Sequence, residues 1–426
     1  MRFDIDVHEW QVDSLLRRLM EINGPDPWIR KWRTLQQQVS QNPFLQKWHV
    51  ERHGIELKLG QLLASEGLGR KFPIRPQDDS QYELYGFSAG IVRIYEQLSE
   101  KGKARLRGML RDGLQPDNNL LPLQHEIVTA VHLISRGYDV QMNDLENGCG
   151  VDFIALKAGI EIEVECKVFT ADLGRKIHRN KVLMLHRYLV DIVQDIFKRA
   201  ACGLLVRIEI PDRLTCQPTQ LEAIRRSLNS AFLTGDLAVR SPECEVQVLD
   251  FDIQDSPFNV KTIEEIDQTK IRDFAHKKFN KANRELMMLF SPGKRAIVVQ
   301  VQSAKNDELL KGAYRQLRES AKGQFTKTRP GILAVQFQEL SGAELLDIAR
   351  TDTSSRAKAT GLQIMTSEFL NSPNRQHIHA VAYRSQGVIS SIDGPHGSST
   401  RSQGPAYYFR NPANPHFDDK RCFAFS

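Results

Sequence analysis

The ten residues IEIEVECKVF (160–169) constrain the fold more than any other stretch, because an apolar residue alternates with a charged one over most of their length. A period of two is the signature of a strand and has no helical phase. Ile162, Val164, Cys166 and Val168 fall on one face, and Glu161, Glu163, Glu165 and Lys167 on the other. Just upstream, VDFIAL (151–156) is a second strand-like run, separated from the first only by Lys157, Ala158 and Gly159. So short a connection with a glycine predicts a hairpin. Ahead of it LQHEIVTAVHLISRGY (123–138) has Ile127, Val131 and Ile134 spaced along one side and Gly137 near its end, the pattern of an amphipathic helix.

The charged face asks for a cation. Three carboxylates in a row repel one another in a half-buried site unless a metal ion and a lysine sit among them. The partner strand adds Asp152, 13 positions before Glu165, and the helix adds Glu126 near its start. Two or three such oxygens suit Mg²⁺, which takes its other ligands from water and a phosphate oxygen. The competing reading is an edge strand kept soluble by solvated glutamates.

At 426 residues the chain has room for two or three domains. Residues 1 to about 112 read as helical, with Leu15, Leu16, Leu19 and Met20 at helical spacing and all four Trp (10, 28, 32 and 48) in the first 48 positions. These aromatics predict a helical core rather than an exposed docking stripe. GLQPDNNLLP (113–122) has the turn-rich composition of a boundary. The expected domains are therefore 1–115, helical; 116–255, around the hairpin; and 256–426, an α/β region that completes the first sheet or forms a degenerate second one.

After the hairpin come a helix at about 176–200, a strand at 202–210, a helix at 219–232 and a strand at 243–253. The order strand (295–302), helix (311–325), strand (330–337) predicts parallel pairing of those two strands. Strands at 377–384 and 406–411 close the chain, with a long Gly/Ser-rich segment between them that reads as a mobile loop. IVVQVQSAK (297–305) echoes IEIEVECK with Gln in place of the acids, through coincidence or a degenerate second sheet.

Lys plus Arg exceed Asp plus Glu by 58 to 52, a net charge of +6 that agrees with a polyanionic partner without requiring one. Basic clusters occur at 101–111, at 175–181 and at Lys277, Lys278, Lys281 and Arg284. The six Cys are scattered without CxxC spacing, which fits a reducing cytoplasm. An acidic N-terminus and the lack of a long apolar run predict neither signal peptide nor membrane span. Phosphate loops of the GxxxxGK[ST] or GxGxxG kind are absent, and no Cys has a catalytic context. His377 and His379 share a strand face, but no third metal ligand with supporting spacing accompanies them, so they read as a packed pair.

GVDFIALKAGIEIEVECKVF resembles the core of the PD-(D/E)xK nuclease superfamily, the restriction-endonuclease-like fold. Asp152 matches the Asp of that pattern, Glu165 the Glu and Lys167 the Lys; Val151 stands in place of the Pro. Glu126 occupies the place of the helix Glu that completes the metal site in many members. The helix, hairpin, helix, strand order over 123–210 also matches. The resemblance implies a mixed sheet flanked by helices and a Mg²⁺-dependent nuclease, with Mn²⁺ as substitute. Asp152, Glu165, Glu126 and the Cys166 carbonyl would hold metal, and Lys167 would act on the attacking water. Arg175, Lys176, Arg179 and Lys181 would contact phosphates. DNA is the implied substrate, in defence or DNA processing, and a homodimer or a partner on the N-terminal helices is compatible. The alternative is a non-catalytic interaction protein that keeps the fold as scaffold.

Overall fold

The computed structural model describes residues 1–3, 6–41, 45–66, 71–73, 78–170, 172–234, 238–262, 265–279, 284–338, 340, 342–354, 357–385, 388–394, 397–403, 406–422 and 424. Lys281 of the third basic cluster lies outside them. The chain divides into two compact units. The first holds 1–37, 49–171 and 310–426, and the second holds 38–48 and 172–309.

Helices α1 (Val12–Asn23), α2 (Asp26–Gln41), α3 (Leu45–Glu66), α4 (Asp79–Gln97), α5 (Glu100–Gly113) and α6 (Leu121–Ser135) come first. Strand β1 (Asp139–Met142), the short α7 (Asn143–Asn147), β2 (Phe153–Lys157) and β3 (Ile160–Phe169) follow. In α1 the buried Val12, Leu16, Leu19 and Met20 form one stripe. The side chains of Asp78 and Ser99 cap α4 and α5, accepting from the amides of Gln81 and Gly102 at 2.9 and 3.1 Å. Two glycines let helices touch backbone-close: a Cβ on Gly60 would lie 2.3 Å from Trp32 Cβ, and one on Gly90 would lie 2.3 Å from Ile127 Cγ2.

The N-terminal helices are not a separate domain. One core runs from Leu16 and Trp28 through Ile91, Ile127 and Leu133 to Phe153, Ile162, Val164 and Ala334. The boundary expected at 113–122 is a packed turn. Buried Lys31 donates to the carbonyls of Gln115, Pro116 and Asn118 at 2.7, 3.0 and 2.6 Å, and Glu56 Oε1 accepts from the Leu120 amide at 2.9 Å. Its polar groups are satisfied by side chains distant in sequence, so composition alone reads it as a linker.

The second unit contains α8 (Arg179–Arg199), β4 (Gly203–Ile210), α9 (Pro218–Thr234), β5 (Ala238–Arg240), β6 (Glu245–Phe251), α10 (Gln268–Phe279), β7 (Arg284–Ser291) and β8 (Arg295–Ser303). Its five-stranded sheet has the order β5-β6-β4-β8-β7, mixed, with β4 and β8 parallel. The strand that echoes β3 is thus central to a second sheet. Its Gln300 and Gln302 are buried and hydrogen-bonded to each other, with Gln302 donating on to Glu209.

The chain then returns to the first unit through α11 (Leu309–Gly323), β9 (Gly331–Phe337), α12 (Gly342–Thr353), α13 (Gly361–Leu370), β10 (Ile378–Arg384), β11 (Val388–Gly394), β12 (Gly397–Gln403) and β13 (Ala406–Arg410). The first sheet has the order β1-β2-β3-β9-β10-β13. β1, β2 and β3 are antiparallel neighbours, β9 runs parallel to β3 and to β10, and β13 is antiparallel to β10. The fold is α/β, with two mixed sheets flanked by helices.

Three pairing expectations are corrected. β8 and β9 do not pair, because each lies parallel to a different strand, β4 and β3. The helix and strand expected to complete the core at 176–210 belong to the second sheet. Those that follow the hairpin within its own sheet are α11 and β9, so the expected limits 116–255 and 256–426 give way to the interleaved units. Local periodicity specifies that a segment is a strand; its partner depends on which faces bury together. The Gly/Ser-rich segment forms an antiparallel ribbon, β11 with β12, rather than a loop. All six cysteines are free, and no helix among the described residues is long and apolar enough to cross a membrane.

Candidate functional site

The hairpin turns through Ala158 (φ 49°) and Gly159 (φ 82°), a two-residue connection with both φ positive that matches the strand twist. Its register pairs Phe153 with Val164. Asp152 lies just before β2, close enough to Glu165 for that carboxylate to raise it. The Asp152 carboxylate closes the ladder by accepting from the Cys166 amide at 2.6 Å. Glu165 is 2% exposed. Its Oε1 meets Lys167 Nζ at 2.5 Å, and its Oε2 is buried without any hydrogen-bond partner.

Two further acids border this pair. Glu126 lies on α6, whose place is held by His125, donating to the Ala334 carbonyl at 2.9 Å, and by Ile127 against Gly90. Asp144 lies on α7, which is anchored where the Asn143 amide donates to the Asp152 carbonyl at 2.8 Å. Arg105 binds the last carbonyls of α7, donating to Leu145 at 2.9 Å and Asn147 at 3.2 Å. The sequence reading did not single out Asp144. Its available signal was an acid eight positions before Asp152, in a segment too short to show a period.

Electrostatics follow from burial. Desolvation, then the Glu165 charge, pushes Asp152 up to about 7. Glu126 is pushed well above the carboxylate range by burial first, then by Asp152, Asp144 and Glu165. Burial raises Glu165 also, against the pull of Lys167. For Lys167 burial acts downward, but Glu165 and Asp152 outweigh it, so the ammonium is retained more firmly than usual. Four acids around one lysine leave excess negative charge in a poorly solvated place. Protons or a divalent cation relieve it.

The donor set fits such an ion. Two carboxylates with water and a substrate oxygen are ordinary for Mg²⁺, and the unpartnered Glu165 Oε2 is a ligand atom in need of one. Among the described residues, the trio of His, Cys, Asp or Glu ligand atoms that lies within 4.8 Å of one another is His416, Asp419 and Cys422, not Glu126, Asp152 and Glu165. Asp152 and Glu165 both bear electrostatically on Glu126, whose own burial holds it as the acid. The Cys166 amide donates to Asp152, and its thiol is pushed well above its usual value by burial.

The other two strand acids are neutralised elsewhere. Arg329 Nε pairs with Glu161 at 2.5 Å, while Glu163 accepts from the Thr326 amide at 2.9 Å, from its hydroxyl at 2.6 Å and from Arg329 at 3.4 Å. Glu161 and Glu163 are thus tied to Arg329, and Glu165 to Lys167. Comparison with known protein families, curated proteins and solved structures returned no match.

The basic residues expected to contact phosphates lie in the second unit. Lys176 is buried and paired with Asp212 at 3.2 Å and Glu308 at 3.4 Å, while its amide donates to Asp307 at 2.8 Å. It is a structural tie, and its assignment to phosphate contact is withdrawn. α8 begins only at Arg179, whose amide donates to the Asp172 carboxylate at 3.1 Å. Arg175, Arg179 and Lys181 are half-buried. His377 and His379 are packed in, with His377 donating to the Ala321 carbonyl at 3.2 Å and His379 at 3.4 Å from Asn414 Oδ1.

Proposed function

We propose that the chain is a divalent-metal-dependent nuclease hydrolysing phosphodiester bonds in nucleic acid, with DNA the first substrate class, built on a restriction-endonuclease-like core of the PD-(D/E)xK kind. The observation that carries this reading is Asp152 fastened to the Cys166 amide next to Glu165, whose second carboxylate oxygen is buried without a hydrogen-bond partner among the described residues, beside the Lys167 ammonium. The helix, hairpin, helix, strand order supports it in a revised form: α6, then β2 and β3, then after the second unit α11 and β9, parallel to β3.

Asp152 and Glu165 would hold Mg²⁺ or Mn²⁺, which when bound supplies Lewis-acid activation of the scissile phosphate and of a water. The chain's own groups do the rest. The Cys166 amide fixes Asp152. Lys167, kept protonated by its acidic neighbours, orients the attacking water and offsets charge gathering on the phosphoryl oxygens. Asp144 deepens the negative potential that attracts the cation, while Glu126, pushed well above the carboxylate range, holds its proton in the metal-free chain.

The test is cleavage of linear, circular and single-stranded DNA and of RNA with Mg²⁺ or Mn²⁺, with Lys167→Ala as control. Cleavage that needs the ion and is lost in Lys167→Ala supports the reading. Intact substrates with either ion, together with no ion binding by calorimetry, would replace it by the scaffold reading.

A further inference from the structure

We propose that His416, Asp419 and Cys422 form a second metal site, of the zinc type, that pins the C-terminal segment to the first unit. The site shares no residue with the acidic cluster and does not depend on the nuclease reading.

Geometry carries the assignment. One ligand atom from each residue lies within 4.8 Å of the other two. The spacing His-x-x-Asp-x-x-Cys coincides with a run of three-residue turns: the Asp419 amide donates to the His416 carbonyl at 3.0 Å and the Cys422 amide to the Asp419 carbonyl at 2.9 Å, with a 3-10 turn over Lys420–Cys422. Three residues per turn stacks side chains at i and i+3 above one another, so the backbone itself aligns the nitrogen, oxygen and sulfur donors.

The alignment is fastened from outside. Asn414 donates to the Gln376 carbonyl at 2.6 Å and accepts the His416 amide at 2.9 Å. Asn411 donates to the Arg375 and Ile378 carbonyls, both at 2.9 Å. The Tyr138 hydroxyl binds the Arg421 carbonyl at 2.6 Å, the Tyr408 hydroxyl binds the Cys422 carbonyl at 3.4 Å, and the His132 ring donates to the Ala424 carbonyl at 3.0 Å. Arg421 grips the Asp419 carboxylate at 2.9 and 2.8 Å, the kind of outer partner that orients a ligating carboxylate.

The donor chemistry selects the ion. A thiolate, an imidazole and a carboxylate suit Zn²⁺, with water at the fourth tetrahedral position, and do not suit Mg²⁺, which asks for oxygen throughout. Ligation takes the proton from Cys422 and releases it to solvent. The buried thiol and the half-buried ring place the ion at the margin of the core, where water can reach its fourth position.

The experiment uses the full chain, reduced and freed of metal, titrated with Co²⁺ as a spectroscopic probe and separately loaded with Zn²⁺ for elemental analysis. About one ion per chain beyond any held at Asp152 and Glu165, the ligand-field bands of tetrahedral cobalt and a thiolate charge-transfer band are expected. The charge-transfer band should vanish in Cys422→Ser and the tetrahedral spectrum in His416→Ala, while Asp152→Asn keeps both. Wild type that retains no zinc and shows no thiolate band overturns the site, as does a band that survives Cys422→Ser. If Cys422→Ser does not fold, His416→Ala decides: an unchanged cobalt spectrum there overturns it equally.

Discussion

Replacing Asp152 by Asn is expected to stabilise the metal-free protein at pH 8 and to leave it unchanged near pH 4. In the folded chain burial and Glu165 lift this carboxyl from 3.8 to about 7. A group whose folded value is raised contributes stability that is present below the unfolded value and is lost as pH climbs through the folded one. The window is therefore pH 4 to 7. At about 1.4 kcal/mol for each tenfold change in proton affinity, a rise from 3.8 to about 7 amounts to about 4 kcal/mol, withheld from wild type at pH 8 and absent in Asp152→Asn. Asn keeps an oxygen that can accept the Cys166 amide, so the perturbation is mainly one of charge. Buried His49 and His125 and half-buried His132, held down to about 3, 3 and 4, impose an opposite pH dependence on both proteins, and it cancels in the difference. The assay is urea unfolding with chelator present, followed by tryptophan fluorescence, since Trp10, Trp28 and Trp32 all lie in the first unit. Adding Mg²⁺ or Mn²⁺ at pH 8 should stabilise wild type, by about 2.7 kcal/mol at a hundred times its dissociation constant, and Asp152→Asn far less. A stability difference that stays the same from pH 5 to pH 8 would refute the claim that this acid is crowded and desolvated.

Further outcomes follow from the same geometry. Lys167→Ala should lower turnover by about 10²–10⁴-fold in a plasmid-nicking assay while ion binding by calorimetry persists, because its ammonium acts on water and phosphate rather than on the ion. Asp144→Asn should weaken ion affinity by about tenfold or more and raise metal-free stability at pH 8. Lys176→Met should cost about 1–2 kcal/mol in urea unfolding and leave the salt dependence of nucleic-acid binding unaltered, since its charge is spent on Asp212 and Glu308. Gly60→Ala should cost about 1–3 kcal/mol, because its Cβ would overlap Trp32.

Much of the site was legible because it is local. Asp152, Glu165 and Lys167 lie within 16 positions on one hairpin, whose register follows from a two-residue turn, and Glu126 follows from one helix spacing. Asp144 was not legible, because a five-residue helix has no period to read. The partners of Glu161 and Glu163 were not legible for a different reason: Arg329 and Thr326, which bind them, lie more than 160 residues away. Lys176 shows the same limit in a basic residue, since nothing in RKIHRNK distinguishes a solvated cation from one tied to Asp212 and Glu308.

By itself the sequence determined where β2, β3, β4, β6, β8, β9, β10, β13 and most helices lie, and which strand carries alternating charge, while β1, β5, β7, β11 and β12 were not read from it. These are properties of neighbouring residues, set by side-chain period and turn geometry. Only the tertiary structure decided that β9, not β4, lies beside β3, that the N-terminal helices share the core of the first sheet, and which of three glutamates on one strand keeps a bare oxygen. Burial and ion pairing depend on surfaces brought together from distant parts of the chain, and the free energy of those contacts has no local signature.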